Sequence, residues 1–443
     1  MTKVNKLEHI KTNGLQSSIR GLLSMMSAIY IIMTLIWGID TSLSPINYIL
    51  MLAINVYMVV CSKDNFLLFV ISFFMLFFNY SIVFANYSGQ IDIVITDGIT
   101  PRVRSISMNI LSLFTCSLLF FVKWEKISRN VADVYLEKHQ RNDLLVIALA
   151  LVLFLIYSFG FTRPIMGERG VASPIYEYSS ILMAILFYYS GNKRLYLIVG
   201  KILVLMFSLQ SLVFGGRVDA IQFLLVMFIM NYMHKTRMYI IIIIMIFAFF
   251  ILSLIGAVRG ELLSGNFDIG NIFQNLVEGG FANDTAYFAY YCSESFVYVK
   301  DLLSAERVLQ LFGDFIRYIF IGSRAGEDAF LPDVTRGYVT HYNGGITPFY
   351  FYFYLGIPGI LIAGLIVSFY INLAISVNKY SSGFFKIVVL WVVCSVFRWY
   401  LYTPLPLLRG VIFLSLAYWS AAIFDTLSRG KRISKRVKPY SRN

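Results

Sequence analysis

The chain has 443 residues, of which 58% are hydrophobic and 14% are charged, and its formal net charge is +13. A composition this apolar excludes a soluble globular protein and indicates an integral membrane protein. We attribute the positive charge to membrane orientation and to attraction by anionic lipid, and we expect no nucleic-acid partner.

Apolar runs that can cross a hydrocarbon core of about 30 Å predict about twelve membrane helices, and therefore an all-α polytopic fold. In chain order the predicted helices cover residues 20–39, 45–61, 65–86, 104–122, 144–160, 177–190, 195–214, 218–233, 238–257, 347–376, 383–402 and 404–424. The sixth predicted helix is short. The tenth is long enough to begin outside the bilayer or to tilt.

A polar segment of roughly ninety residues, 258–346, separates the ninth and tenth predicted helices. It contains eleven Asp and Glu residues against six Lys and Arg residues. Within it, residues 308–322 (VLQLFGDFIRYIFIG) are too few to span, so we expect an interfacial or re-entrant helix there. Its Asp314 and Arg317 are spaced to form an ion pair. The predicted organisation is thus membrane helices in 1–257, the polar segment, membrane helices in 347–424, and a basic tail in 425–443.

Basic residues in the loops predict the orientation of the chain in the membrane. Lysines and arginines are concentrated in the N-terminal segment, in alternate loops and in the tail. By the positive-inside rule, both termini are cytoplasmic and the polar segment lies outside. The four cysteines are scattered along the chain and form neither a disulfide framework nor a metal-binding motif.

Arginine dominates the basic residues on the predicted outer side, where it accounts for twelve of thirteen. The positive-inside rule does not distinguish lysine from arginine, whereas bidentate recognition of phosphate oxygens favours the guanidinium group. We therefore expect outer arginines to bind a phosphate-bearing substrate, and we single out Arg163, Arg324, Arg336 and Arg409. Arg409 falls inside the twelfth predicted helix, where an ionised group usually faces a cavity.

Two short sequences combine another outer arginine with glycine, and a third combines a histidine with glycines. FGGRVDA (214–220) places Arg217 after a Gly-Gly turn, and VRGE (258–261) places Arg259 at the end of the ninth predicted helix. The alternatives are a simple hairpin with a snorkelling arginine and an ordinary flanking charge paired with Glu261. HYNGGITPFYFYFYLGIPG (341–359) places His341 just before a glycine-punctuated helix. An imidazole is suited to general-base chemistry near neutral pH, although a lone histidine is more often structural.

The layout and these three sequences resemble the O-antigen polymerases of the Wzy type and, more distantly, the O-antigen ligases that share their architecture. The resemblance implies a GT-C-like glycosyltransferase in a bacterial inner membrane, with a large periplasmic loop. It implies transfer of a growing glycan from undecaprenyl pyrophosphate to a new lipid-linked repeat unit, in O-antigen or capsular polysaccharide. The catalytic residues would be His341, Arg217 and Arg259, with Asn343 binding substrate. A chain-length regulator protein is a possible partner. Arginines would stabilise the pyrophosphate leaving group, so neither a metal nor a cofactor is expected.

Three other functions remain open at this stage. A ligase that transfers glycan to a lipid A core has nearly the same chemistry and signatures. A polysaccharide flippase or another transporter also has about twelve helices, but usually shows repeated halves. A dolichol-linked type of glycosyltransferase would use an acidic residue in its first outer loop, where Asp40 stands. The general base is open as well, with Glu327, Asp328 and Asp333 as alternatives to His341.

Overall fold

A computed structural model gives the fold of the chain. It describes residues 3–40, 44–88, 99–127, 132–135, 141–162, 171–213, 216–264, 270, 274, 283–326, 329–341 and 344–436. The chain divides into two compact units, each assembled from distant stretches of sequence. Unit 1 comprises Met1–Ser128, Ala248–Ser376 and Arg398–Pro404, and unit 2 comprises Arg129–Phe247, Val377–Phe397 and Leu405–Asn443. The polar segment thus belongs to the same unit as the first four helices.

Most of the described residues lie in helices. The helices are α1 (Lys3–Trp37), α2 (Ser44–Ser62), α3 (Phe66–Ser88), α4 (Pro101–Phe121), α5 (Asp143–Phe159), α6 (Pro174–Glu177), α7 (Ser179–Tyr189), α8 (Arg194–Val213), α9 (Arg217–Asn231), α10 (Met238–Ser264), α11 (Asp284–Leu302), α12 (Ala305–Ile321), α13 (Leu331–Arg336), α14 (Thr347–Leu355), α15 (Ile357–Ser376), α16 (Gly383–Cys394), α17 (Val396–Leu401) and α18 (Leu405–Arg436). Among the described residues, two short antiparallel strands, β1 (Phe161–Thr162) and β2 (Val171–Ala172), depart from the predicted all-α fold.

Six of the described helices are long and apolar enough to cross a membrane. They contain Ser17–Trp37, Phe66–Asn86, Pro101–Phe121, Arg194–Val213, Ile357–Ser376 and Leu405–Arg429. Shorter apolar helices occupy Ile46–Ser62, Asp143–Phe159, Met238–Ala248 and Gly383–Cys394. By length and composition the chain is therefore a helical, multi-pass membrane protein, as its hydropathy predicts.

The tenth predicted helix is two helices rather than one. Gly356 separates α14 from α15 and has a φ of +66°, a backbone conformation that residues with side chains rarely adopt. Pro358, two residues later, has no N–H to continue a helical hydrogen-bond ladder. The two helices pack against each other, and a Cβ at Gly359 would meet the backbone of Phe351. The eleventh predicted helix is also divided, because α16 ends at Cys394 and α17 begins at Val396.

Helix α11, which lies in the polar segment, forms part of the core of unit 1. It packs against α3, α4 and α14, and its residues are buried on every side of the helix. Two serines lower the hydropathy of this helix, but their hydroxyl groups form hydrogen bonds with its own backbone. The hydroxyl of Ser293 donates to Ala289 O at 2.8 Å, and that of Ser295 donates to Cys292 O at 2.6 Å. Because these hydroxyl groups are satisfied locally, the helix tolerates an apolar environment that its sequence does not predict.

Helix α12 confirms the helix predicted at residues 308–322. It begins three residues earlier, because the side chain of Ser304 accepts a hydrogen bond from the Arg307 N–H at 3.2 Å and caps the helix. Its buried face carries Val308, Leu311, Phe315 and Ile319 at helical spacing. The predicted pairing of Asp314 with Arg317 is present at 3.2 Å.

Ion pairs join loops that the predicted topology places on one side of the membrane. In unit 1, Arg20 contacts Glu125, and both lie at predicted cytoplasmic ends. At the predicted outer ends, Arg102 pairs with Asp40 at 2.8 Å and lies 3.9 Å from Asp301. The structure therefore groups these helix ends in the same two sets as the predicted topology does.

Cysteine labelling tests which set of ends faces outward. In a protein without its four native cysteines, Tyr338→Cys is expected to react with an impermeant maleimide in intact spheroplasts. Tyr380→Cys is expected to react only after the membrane is permeabilised with detergent. Both positions suit the experiment, because the side chains are 53% and 83% exposed. Labelling of Tyr380→Cys in intact spheroplasts would reverse the orientation.

The packing of α15 on α4 depends on Gly364, and its substitution is expected to destabilise unit 1. A Cβ at Gly364 would stand only 2.8 Å from the Cβ of Ser117. Forcing apart a close-packed contact costs about 1–3 kcal/mol, so Gly364→Ala should lower the unfolding temperature of the purified protein. The matched control is Gly313→Ala in α12, where a Cβ meets nothing within 4 Å. Equal unfolding temperatures for the two variants would contradict this packing.

Candidate functional site

His341 lies in unit 1, between α13 and α14, and only 7% of it is exposed. Its Nε2 is 2.7 Å from the hydroxyl oxygen of Thr335 in α13. Its Nδ1 is 3.3 Å from the Sγ of Cys292 in α11. The thiol of Cys292 also donates to the carbonyl oxygen of Gly344 at 2.8 Å. Both ring nitrogens therefore face side chains from neighbouring helices, and this histidine of the polar segment is buried.

The two glycines that follow His341 allow the loop to lie close to its neighbours. Gly344 and Gly345 have φ values of +126° and +150°. The Gly345 N–H donates to Leu401 O at 3.1 Å, and a Cβ at Gly345 would stand 2.5 Å from the ring of Phe296. The next N–H, that of Ile346, donates to the Ser293 hydroxyl at 2.7 Å. Glycine adopts these φ values without strain, so the fold of this loop explains the Gly-Gly pair in the sequence.

Burial raises the pKa of the Cys292 thiol, and the positive charge of Arg336 opposes that rise. Cys292 lies in α11, outside the six candidate spans. Arg336 follows Thr335 in α13, is exposed, and pairs with Asp333 at 3.1 Å. The structure thus brings two of the predicted site residues, His341 and Arg336, to the same part of unit 1.

Arg217 is in unit 2, where it is the first residue of α9 and is half-buried. The preceding Gly216 donates its N–H to Ser211 O at 2.6 Å. A Cβ at Gly216 would stand 3.2 Å from the Oδ2 of Asp219, the third residue of the helix. An acidic residue in the first turn favours helix initiation. Within the described part of FGGRVDA, Gly216 and Asp219 therefore build a tight helix start that positions the backbone of Arg217.

The remaining predicted site residues are described to different extents. Arg409, in α18 of unit 2, lies with its guanidinium carbon 5.1 Å from the centre of the Phe413 ring. Arg259 is in α10 and Arg324 is in the turn Gly322–Ala325, but the structure does not describe their side chains. Four residues fall outside the described residues altogether: Arg163, Asn343, Glu327 and Asp328. Asp40, the acid considered for a dolichol-linked type of enzyme, is engaged by Arg102.

A buried polar cluster in unit 1 was missed by the sequence analysis. Glu294 and Tyr290 are one turn apart on α11, and both are 0% exposed. The Tyr290 hydroxyl is 3.5 Å from the carbonyl oxygen of Arg104 at the start of α4. Burial raises the pKa of Tyr290, and the charge of Glu294 adds to the rise while that of Arg104 opposes it. The sequence did contain a signal for this cluster: Glu294 stands within the aromatic run YFAYYCSESFVYV.

No protein-family profile, curated protein or solved structure matches this chain.

Proposed function

We propose that this protein is a glycosyltransferase that polymerises lipid-linked oligosaccharide repeat units at the outer face of a bacterial inner membrane. The donor is a glycan on undecaprenyl pyrophosphate, the acceptor is a new lipid-linked repeat unit, and the product is O-antigen or capsular polysaccharide. The sequence resemblance and the multi-pass helical architecture support this proposal. A chain-length regulator protein remains a proposed partner.

The observation that carries the proposal is the built setting of His341. Thr335 in α13 and Cys292 in α11 contact the two ring nitrogens at 2.7 and 3.3 Å. A histidine that only fills a loop does not need contacts from two helices at both ring nitrogens. Fixed orientation is what a general base requires, because proton transfer depends on its distance to the reacting hydroxyl group.

The chemistry requires a base for the acceptor and positive charge for the leaving group. His341 would take the proton of the acceptor hydroxyl as its oxygen attacks the anomeric carbon of the donor sugar. The bond from that carbon to the pyrophosphate breaks, and its electron pair leaves with the pyrophosphate. Guanidinium groups such as that of Arg217 would stabilise the charge that develops there.

A reconstituted assay separates this function from its competitors. Purified protein in liposomes is given undecaprenyl-pyrophosphate repeat units alone, and then together with lipid A core. A ladder of lipid-linked glycans with the repeat units alone is the result expected of a polymerase. Transfer that requires the lipid A core would identify a ligase. Movement of the repeat unit across the membrane without new glycosidic bonds would identify a transporter.

A further inference from the structure

The contacts of Cys292 determine where its proton lies. Its Sγ is 2.8 Å from Gly344 O and 3.3 Å from Nδ1 of His341. A thiol has one proton to donate, and a carbonyl oxygen can only accept. Because the carbonyl contact is the closer of the two, the S–H is directed at Gly344. Burial keeps Cys292 in its protonated form, since it raises the pKa of the thiol.

This assignment in turn indicates which nitrogen of the imidazole carries hydrogen. With its proton directed at Gly344, the sulfur presents a lone pair to Nδ1, so Nδ1 must be the nitrogen that carries hydrogen. A neutral imidazole then accepts at Nε2, where the Thr335 hydroxyl stands at 2.7 Å. The opposite tautomer would require the single thiol proton to serve both Nδ1 and Gly344 O.

We propose that Cys292 is a positioning residue for His341, which selects the tautomer whose basic nitrogen is Nε2. Thr335 occupies that nitrogen in the resting protein and releases it when the acceptor hydroxyl binds. We infer the tautomer from the contacts of Cys292 and Thr335 with the ring, whereas its use in catalysis rests on the proposed function.

Thr335 is suited to this exchange because its proton has alternative acceptors. The Thr335 oxygen lies 3.1 Å from Leu331 O and 3.3 Å from Pro332 O, in the preceding turn. Rotation of the O–H toward these carbonyl oxygens removes the hydrogen bond to Nε2 and leaves no donor without an acceptor. The Thr335 oxygen, 2.7 Å from Nε2, must also move away from the ring, because Nε2 has a single lone pair. The proton of the acceptor hydroxyl then moves to Nε2. The resulting imidazolium keeps its Nδ1–H bond to the sulfur.

The tautomer is measured directly by magic-angle-spinning NMR of protein labelled with ¹⁵N-histidine in membranes. The other three histidines, His9, His139 and His234, are replaced by glutamine so that only His341 contributes. The parent protein and Cys292→Ser should both show hydrogen on Nδ1, because a serine hydroxyl can make the same two contacts. Cys292→Ala should shift the population toward hydrogen on Nε2, which Thr335 can accept while it donates to Leu331 O.

Hydrogen on Nε2 in the parent protein, or an unchanged tautomer in Cys292→Ala, would overturn the proposal. Neither result depends on enzymatic activity, so this test remains valid even if the proposed function is wrong. Where activity is present, Cys292→Ala should lower kcat on the order of 10-fold with little change in KM, as loss of a histidine's supporting partner does. Cys292→Ser should restore the rate. If Cys292→Ala fails to fold, Thr335→Val takes its place, and it should keep hydrogen on Nδ1 because Cys292 is intact.

Discussion

His341→Ala is expected to convert long glycan ladders into single lipid-linked repeat units. Loss of a general base lowers rates by roughly 10²–10⁴-fold, which is enough to end polymerisation within one step. Ladder length on gels at matched protein level is the measurement. Because His341 is buried, His341→Gln should be tested as well. It keeps most of the side-chain volume but cannot act as the base, so it should fail to the same degree.

Asp333→Asn is the control for this prediction. Asp333 is an alternative base from the sequence, but it is exposed and paired with Arg336 at 3.1 Å. An exposed ion pair contributes little, so this variant should make a nearly full ladder. A full ladder from His341→Ala would remove the histidine from the mechanism. Loss of the ladder in Asp333→Asn or Glu327→Gln would then assign the base to an acidic residue of the polar segment.

Arg217→Lys is expected to abolish most polymer while the protein remains folded and inserted. Lysine keeps the charge but loses the planar fork that matches two phosphate oxygens. Removal of one donor that stabilises transition-state charge costs roughly 10²–10³-fold, and we expect an effect near the lower end because the charge is retained. The initial rate of repeat-unit consumption in liposomes measures it.

The matched control for Arg217→Lys is Arg194→Lys. Both arginines are the first residue of a helix in unit 2, at the starts of α9 and α8. Arg194 is exposed and lies at a predicted cytoplasmic end, so its replacement should leave the rate unchanged. If both variants retain full activity, Arg217 serves only as part of a tight turn between two helices.

Hydropathy predicted the positions of most apolar helices, because the length of an apolar run is a local property. It did not predict the break at Gly356, which depends on a positive φ that the sequence alone does not reveal. It also failed to predict the burial of α11, because Glu294 and two serines give this helix the composition of a solvent-exposed one. The burial of these residues depends on packing against α3 and α4, whose sequences are distant.

The candidate site shows the same limit of local information. The HYNGG sequence identified His341 and a glycine turn, and the structure gives both a defined place. Thr335, which contacts the histidine, is six residues away, but Cys292 is 49 residues away on another helix. No spacing rule connects residues so distant. The importance of Cys292 appears only when the hydrogen-bond partners of the ring are known.

The position of α11 has a consequence for the assembly of the protein during synthesis. The N–H of Asn283, at the start of this helix, donates to the hydroxyl of Ser81 in α3, across 202 residues of sequence. At about 5–20 residues per second, a ribosome needs roughly 10–40 seconds to make that intervening chain. During this time the ribosome makes α4 and residues 129–247 of unit 2, while α3 lacks the helix that packs on it. We therefore expect the surfaces of α3 and α4 that pack on α11 to stay uncovered in the nascent chain until α11 has been made.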